Sequence, residues 1–192
     1  MLPERHKRIL SINKPKLSIV IVAYNMAREI PRTLYSLSAA MQKGVSQDQY
    51  EVILVDNGSE QAFDEQLCRS FRLQLRIVYR RNVSPSPAAA VNEGLKYARG
   101  KICGVWIDGA RLSSPGMIQA ALRADRLHQR TIISTHGFHL GPDVQMKSVQ
   151  QGYDQNVEDK LLEEIEWTKD AYRLFGISVF AGSSREGWFR PI

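Results

Sequence analysis

Long apolar runs are missing from the sequence. No run approaches the roughly 18 residues that a membrane-spanning helix needs. The opening residues, MLPERHKRIL, carry charge and lack the apolar core of a secretory signal. We therefore expect no membrane span and a location in the cytoplasm.

Cysteine is scarce. Two cysteines occur in 192 residues, Cys68 in a predicted helix and Cys103 in a predicted strand. One pair without metal-ligand spacing is more typical of reduced, buried thiols than of a disulfide. We expect both thiols to be buried and reduced.

Two common phosphate-binding motifs are also missing. No Gly-x-Gly-x-x-Gly follows a predicted strand, and Gly-x-x-x-x-Gly-Lys does not occur. A dinucleotide site of the Rossmann type and a P-loop both lose support. The stretch AYNMAR, Ala23 to Arg28, also lacks the glycine-rich basic loop expected after the first strand of a nucleotidyltransferase.

Positive charge is in excess, with a formal net charge of +6. Such an excess favours nucleic acid, anionic lipid or a phosphorylated small molecule as a partner. Aromatic residues do not interleave with the basic ones, which disfavours nucleic acid. Much of the charge lies in a basic N-terminal arm, residues 1–16, at Arg5, Lys7, Arg8, Lys14 and Lys16. The arm is either a solvated terminus or a loose anchor to the inner face of an anionic membrane.

Short apolar runs alternate with helical patterns in the first part of the chain. The runs are LSIVIVA (Leu17 to Ala23), EVILV (Glu51 to Val55), LRIVY (Leu75 to Tyr79) and ICGVWI (Ile102 to Ile107). Most are apolar on both faces, as strands of a covered parallel sheet are. Helices are predicted over Met26 to Met41 and Pro87 to Ala98. With right-handed crossovers, this order predicts an α/β fold whose mostly parallel, open sheet is covered by helices on both faces.

The later part of the chain has a mixed pattern. We predict a helix over 117–128, a strand over 130–135, an irregular loop or short hairpin over 137–155, a helix over 157–174 and a strand over 177–182. A chain of this length supports one core, so we expect a single domain over residues 17–192.

Polar residues follow all four predicted strands of the first part. They are Ala23-Tyr24-Asn25, Asp56-Asn57-Gly58-Ser59, Arg80-Arg81-Asn82 and Asp108-Gly109-Ala110-Arg111. Ligands of an open parallel sheet bind beyond the carboxyl ends of its strands. Each segment alone reads as an ordinary turn, but four in order favour a binding site. Tyr24 could then pack against a base or a sugar, and Asp56 could accept a hydrogen bond from a base N–H.

Four of these segments together resemble a known family. LSIVIVAYN, EVILVDNGS, AAAVNEGLKYARG and IDGA look like the nucleotide-sugar half of family 2 glycosyltransferases with the GT-A fold, over about residues 16–120. The resemblance implies transfer of a sugar, usually with inversion, from a nucleoside diphosphate donor, for which we expect a UDP-sugar. Residues 17–120 would form the donor-binding half, and residues 121–192 part of the half that binds an unknown saccharide, lipid or protein acceptor.

The resemblance also implies roles for individual residues. Ala23, Tyr24 and Asn25 match the first donor-binding loop of the family. Asp56, followed by Asn57, matches the acid that reads the base, commonly uracil. The remaining matches are Asn92, on the helix where the donor pocket closes, and Asp108, the first acid of the D-x-D motif.

The second acid of that motif is replaced by Ala110, which cannot bind a metal ion. One carboxylate alone holds Mg²⁺ or Mn²⁺ poorly, so metal dependence is in doubt. Two alternatives remain open. Asp108 shares a metal ion with His136 or His139, or Arg111 binds the diphosphate directly through its guanidinium group.

The general base of an inverting transfer has no clear match. Either Glu186 or an acid between Glu158 and Glu166 takes that role, or the chain is a fragment of a longer enzyme. A module that binds a nucleotide sugar without catalysis is the main alternative function. A nucleotidyltransferase with a related sheet is a further one.

Overall fold

A parallel sheet forms the centre of the computed structural model, which describes residues 14–81 and 85–182. Its strands are β1 (Leu17–Ala23), β2 (Tyr50–Asp56), β3 (Leu75–Tyr79) and β4 (Ile102–Trp106). They lie in the order β3-β2-β1-β4, and all three pairings are parallel. The four predicted strands and their parallel arrangement are confirmed.

Side chains of β1 alternate between two hydrophobic clusters. Ile19 and Ile21 lie on the face that packs against Leu34, whereas Val20 and Val22 lie on the face that packs against Ala90. Successive side chains of a strand point to opposite faces, so a strand that is apolar throughout needs cover on both. The predicted cover by helices on both faces is confirmed.

The helices that follow the strands of this sheet are α1 (Glu29–Ser36), α2 (Glu65–Ser70), α3 (Ala88–Tyr97) and α4 (Met117–Ala124). The predicted helix over 26–41 is too long at both ends. Its last part forms tight turns in which the N–H groups of Leu37, Ser38 and Met41 bond to the carbonyl three residues earlier. Leu37 and Met41 are nevertheless buried, which is why their spacing resembled a longer helix.

Residues 131–137 contain no strand, so the predicted strand over 130–135 is wrong. Ile132 is 97% exposed, and none of the strands in residues 14–81 and 85–182 pairs with this run. The predicted loop or hairpin over 137–155 instead contains β5 (Phe138–Leu140) and α5 (Gln145–Gln150). β5 pairs antiparallel with β6 (Ser178–Phe180), which confirms a short strand within 177–182.

The predicted helix over 157–174 is divided into two pieces. The first is α6 (Gln155–Glu164), which Asp154 caps by accepting hydrogen bonds from the N–H groups of Asn156 and Val157. Glu166 then has a left-handed backbone, with φ of 47°, which ends the regular helix. A 3-10 helix, Ala171–Ile177, follows.

A third hydrophobic cluster connects α6 and the segment after it to the end of α1. Leu162, Trp167 and Leu174 are buried in it together with Met41. The Trp167 ring also meets the Tyr35 ring edge-on, with centroids 5.7 Å apart. This packing holds α6 beside α1. The division of residues 17–192 into a donor half and an acceptor half stays a prediction.

The two cysteines differ in exposure. Cys68 is buried in α2, but Cys103 is exposed, so the expectation that both are buried is wrong for Cys103. Cys103 pairs with Ser18 in register and lies on β4, at the edge of the sheet, on the face where α3 packs mainly against β1 and β2. In the described ranges, none of the helices has the length and apolar character needed to cross a membrane.

Candidate functional site

The carboxyl ends of β1 and β2 lie side by side, because Ala23 and Asp56 are partners in the register of the two strands. The carbonyl oxygen of Ala23 accepts a hydrogen bond from the N–H of Asn57 at 2.8 Å. The structure therefore brings together the first two segments of the predicted donor site.

Asn25 joins the two loops that follow these strands. Its N–H donates to Ser59 Oγ at 2.9 Å, and its Oδ1 accepts from the N–H of Glu60 at 2.9 Å. The backbone of Asn25 is left-handed, with φ of 53°, a conformation that asparagine tolerates better than most residues. Asn25 thus fixes the loop geometry and leaves the neighbouring Tyr24 ring half exposed beyond the sheet.

Asp56 ends β2 and is only 4% exposed. Its Oδ1 accepts hydrogen bonds from the N–H groups of Gly58, at 3.0 Å, and Ser59, at 2.7 Å. These bonds form the turn that its sequence context predicted. A carboxylate has two oxygens, so a turn held by Oδ1 still leaves Oδ2 for a ligand at the site's edge.

Tyr79 and Arg80, at the end of β3, extend this edge. Arg80 was among the polar residues that follow the predicted strands, whereas Tyr79 was not. Tyr79 is the register partner of Asp56 and is 56% exposed, and its hydroxyl donates to Glu65 at 2.6 Å. Arg80 Nη1 donates to Asn57 Oδ1 at 2.6 Å, so this guanidinium group is bound to the site and is not simply solvated. Tyr79 gave no such signal, because it is the last residue of the strand itself.

The loop after β4 passes close to the end of β1. A side-chain carbon at Gly109 would lie 2.8 Å from the Cβ of Ala23, so only glycine allows this approach. The adjacent Asp108 side chain is 41% exposed, and its Oδ1 accepts from the N–H of Ala110 at 2.9 Å. Arg111 Nη2 lies 3.9 Å from Asp108 Oδ2. Asp108 and Arg111 are therefore neighbours beside the donor loops.

A buried polar row along α1 and the turn after it holds this loop in place. Thr33 Oγ1 donates to the carbonyl oxygen of Gly109 at 2.5 Å and accepts from the N–H of Arg111 at 3.1 Å. Ser36 Oγ accepts from the N–H of Ser113 at 2.9 Å. These residues could not be predicted as part of the site, since isolated Thr and Ser in a helix give no signal before their partners are known.

The described residues do not form a metal site around Asp108. Within 14–81 and 85–182, His, Cys, Asp and Glu side chains nowhere gather in a group of three that could hold a metal ion. His139 lies in β5, and the His136 ring packs beside the Phe180 ring with centroids 5.2 Å apart. The donor set seen here does not fit a tightly held Mg²⁺ or Mn²⁺, and a ligand role for His136 or His139 stays a prediction.

Three further predictions concern Asn92, Glu186 and the acids of α6. Asn92 is exposed on α3, and the helix turns its Ala90 and Gly94 toward the sheet, so Asn92 faces away from it. Glu186 lies outside the described residues. Glu158 and Asp159, on α6, form ion pairs with Arg28 and Arg32.

Comparison with known proteins gives one family and several similar proteins. A family model described as "Glycosyl transferase family 2" matches residues 18–179. Validoxylamine A glucosyltransferase of Streptomyces hygroscopicus subsp. jinggangensis (strain 5008) is 30% identical over 112 residues, which are 57% of this chain and 25% of that protein.

Solved structures of S. aureus TarS also resemble the chain. TarS 1–349 in complex with UDP is 25% identical, with a TM-score of 0.52, over 59% of this chain and 33% of that one. TarS 1–349 in complex with UDP-GlcNAc is 25% identical, with a TM-score of 0.51, over 59% of this chain and 32% of that one. The chain thus spans a quarter to a third of the length of these proteins.

Proposed function

The chain belongs to glycosyl transferase family 2, and we propose that it binds a UDP-sugar at the carboxyl edge of its parallel sheet and takes part in transfer of the sugar, with inversion. Its fold is the GT-A type that the resemblance implied. The observation that carries the proposal is the convergence of Tyr24, Asp56 and Asp108 at one edge of that sheet. TarS, which shares this sheet, has been solved with UDP and with UDP-GlcNAc.

The end of β2 is the proposed uracil site. Asp56 is buried, and its Oδ1 is used by the Gly58–Ser59 turn, so Oδ2 would accept from the N3–H of uracil. The exposed rings of Tyr24 and Tyr79 are the surfaces nearest the two strand ends on which a planar base could pack.

The loop from Asp108 to Arg111 is the proposed diphosphate and ribose site. Asp108 would accept hydrogen bonds from ribose hydroxyls, and the Arg111 guanidinium group would pair with phosphate oxygens. Arg111 is 3.9 Å from Asp108, so a small rotation of its exposed side chain would exchange the carboxylate for the diphosphate. Because the described donor set does not fit a metal ion, no step of this proposal passes through one.

Transfer would form a bond between an acceptor hydroxyl oxygen and the anomeric carbon as the bond from that carbon to UDP breaks. The acceptor proton must pass to a base. Glu158 and Asp159 are poor candidates, since each is paired with two arginines, and hydrogen bonds from Arg32 lower the pKa of Asp159. Both carboxylates are engaged by guanidinium groups of α1 or the loop before it.

Binding without catalysis is a second candidate function for this chain. Two observations favour it: the carboxylates of α6 nearest α1 are held in ion pairs, and the chain covers only a quarter of its curated relative. It predicts that UDP binds but that UDP-sugar is not turned over.

We also propose a cytoplasmic location for the protein, with the basic arm of residues 1–16 against an anionic membrane.

Calorimetric titration of UDP and GDP tests the proposed donor site. We expect UDP to bind more tightly than GDP and Asp56→Asn to weaken UDP binding about tenfold. The substitution keeps an oxygen for the Gly58–Ser59 turn but places an N–H donor where uracil needs an acceptor. Glu60→Gln is the matched control, because only the backbone of Glu60 bonds to Asn25. Equal binding of UDP by wild type and Asp56→Asn would remove the base-reading role.

A further inference from the structure

A cavity of about 370 Å³ lies between the loop after β4 and the helices α1, α5 and α6. We call it the α1–α6 cavity; Asn25 and Asp108 line one side of it, and Tyr153 and Glu158 line the other. Its volume falls within the range of about 300–1,000 Å³ that small-molecule sites occupy.

The cavity adjoins the proposed donor site directly. Asn25 belongs to the loop that follows β1, and Asp108 to the loop that follows β4, so both line the cavity and the carboxyl edge of the sheet. A molecule in the cavity would therefore sit beside a nucleotide sugar bound at that edge. The apolar side chains of Leu112, Leu140 and Leu162 also contribute to its lining and offer a surface for the C–H face of a sugar ring.

Arginines line the cavity, but their charges are already neutralised. Glu158 Oε1 lies 2.8 Å from Arg28 Nη2 and 3.3 Å from Arg32 Nη1. Asp159 Oδ1 lies 2.5 Å from a guanidinium nitrogen of each arginine, and Arg28 Nε also contacts Glu29 at 2.7 Å. Burial alone would lower the pKa of Arg28, yet these carboxylates raise it. Both arginines are thus held in the cavity wall by ion pairs with carboxylates.

Carboxylates outnumber cations around the cavity. The described lining residues include two arginines and four acids, which are Glu29, Asp108, Asp154 and Glu158. Tyr153 also directs its hydroxyl to Glu158 at 3.3 Å. An anionic ligand would enter a region of net negative charge, next to the diphosphate of a bound donor, whereas hydroxyl and ammonium groups would find acceptor oxygens.

We propose that the α1–α6 cavity receives the acceptor, and that this acceptor is a hydroxyl-rich molecule that is uncharged or bears an amino group, and not one that bears a carboxylate or phosphate. The inference rests on the proposed glycosyl transfer and adds the substrate class of its second site.

Three matched sugars test the charge preference on the full 192-residue chain. D-glucosamine, methyl α-D-glucoside and D-glucuronate share a ring and differ in charge. In saturation-transfer NMR with UDP present, we expect the first two to bind and glucuronate to bind about tenfold more weakly than glucosamine. Equal or tighter binding of glucuronate, or no binding by any of the three, would overturn the proposal.

Two lysine variants test whether the charge preference arises in the α1–α6 cavity. Gln145 lines the cavity at α5, whereas the next residue, Met146, is 79% exposed and does not line it. Gln145→Lys should shift the preference about tenfold toward glucuronate, and Met146→Lys should leave it unchanged. An equal shift in both variants would show a general surface-charge effect and contradict the assignment to the cavity.

Calorimetry of UDP on the same samples separates the two proposals. If UDP binds but the sugars show no charge preference, the acceptor inference fails and the donor site stands. If UDP does not bind, the proposed function itself fails.

Discussion

Asp56 and Asp108 both lie at the carboxyl edge of the parallel sheet, Asp56 as the last residue of β2 and Asp108 two residues after the end of β4. Each uses Oδ1 to hold a turn, Asp56 for Gly58 and Ser59 and Asp108 for Ala110. The sequence offered a turn and a ligand site as alternatives, but these are compatible, because a turn occupies one carboxylate oxygen of two. Sequence reasoning could therefore name these two residues and could not separate their roles.

Arg111 is proposed to neutralise the charge of the diphosphate, and substitutions at this residue test that role. In EDTA, Arg111→Ala should weaken UDP binding about tenfold, because a charged hydrogen-bonding partner of the diphosphate is lost. Arg111→Lys should recover part of the affinity, since lysine keeps the charge without the bidentate geometry. Calorimetric titrations measure both.

Arg123→Ala is the charge-matched control for this prediction, since Arg123 is exposed at the end of α4. UDP binding that requires Mn²⁺ and is unaffected by Arg111→Ala would instead place the neutralising charge on a metal ion.

At the scale of elements, α1 has two roles, and different residues perform each of them. Its apolar side packs Ile30 and Leu34 against the sheet, while Thr33 and Ser36 bond to the loop that carries Asp108. Apolar spacing predicted the first from the sequence. The second depends on partners more than seventy residues away, so no local pattern could show it.

Thr33→Val tests the second role of α1. Valine keeps the shape of threonine but leaves the Gly109 carbonyl and the Arg111 N–H without their partner, so the free energy of unfolding should fall by about 2 kcal/mol. UDP binding should also weaken, because the loop from Asp108 to Arg111 is less firmly held. Denaturant unfolding and calorimetry measure the two effects.

Thr33→Ser retains the hydroxyl and should preserve most of the UDP affinity. If Thr33→Val lost stability but bound UDP as wild type does, then Thr33 would stabilise the fold without positioning the site.

Strands that are buried on both faces were predicted well. Strands whose formation depends on a distant partner strand were predicted poorly. β1 matches its predicted bounds, since apolar residues on both faces leave few alternatives. The run over 130–135 has a similar β-branched composition but no partner among the strands that the structure describes, and it forms no strand. β5 was missed as a strand because its partner, β6, lies far along the chain.

At the scale of the whole molecule, the part of the fold that the sequence predicts is also the part that carries the proposed donor site. Residues 17–120 follow a regular alternation of strands and helices, and this alternation alone brings the polar strand ends to one edge. The packing of α6 against α1, through Leu162 and Trp167, arises from contacts distant in sequence. The α1–α6 cavity therefore could not be anticipated from the sequence.

Mapping of UDP by amide chemical shifts on the ¹⁵N-labelled chain tests the central claim most directly. The account predicts that the largest shifts on saturation with UDP fall at the carboxyl edge of the sheet, on the N–H groups of Asn25, Gly58, Ser59 and Arg111. The opposite edge, around Ser18 and Gly100, serves as the internal control and should not move. Shifts centred on that opposite edge, or no shifts at high UDP concentration, would contradict the account.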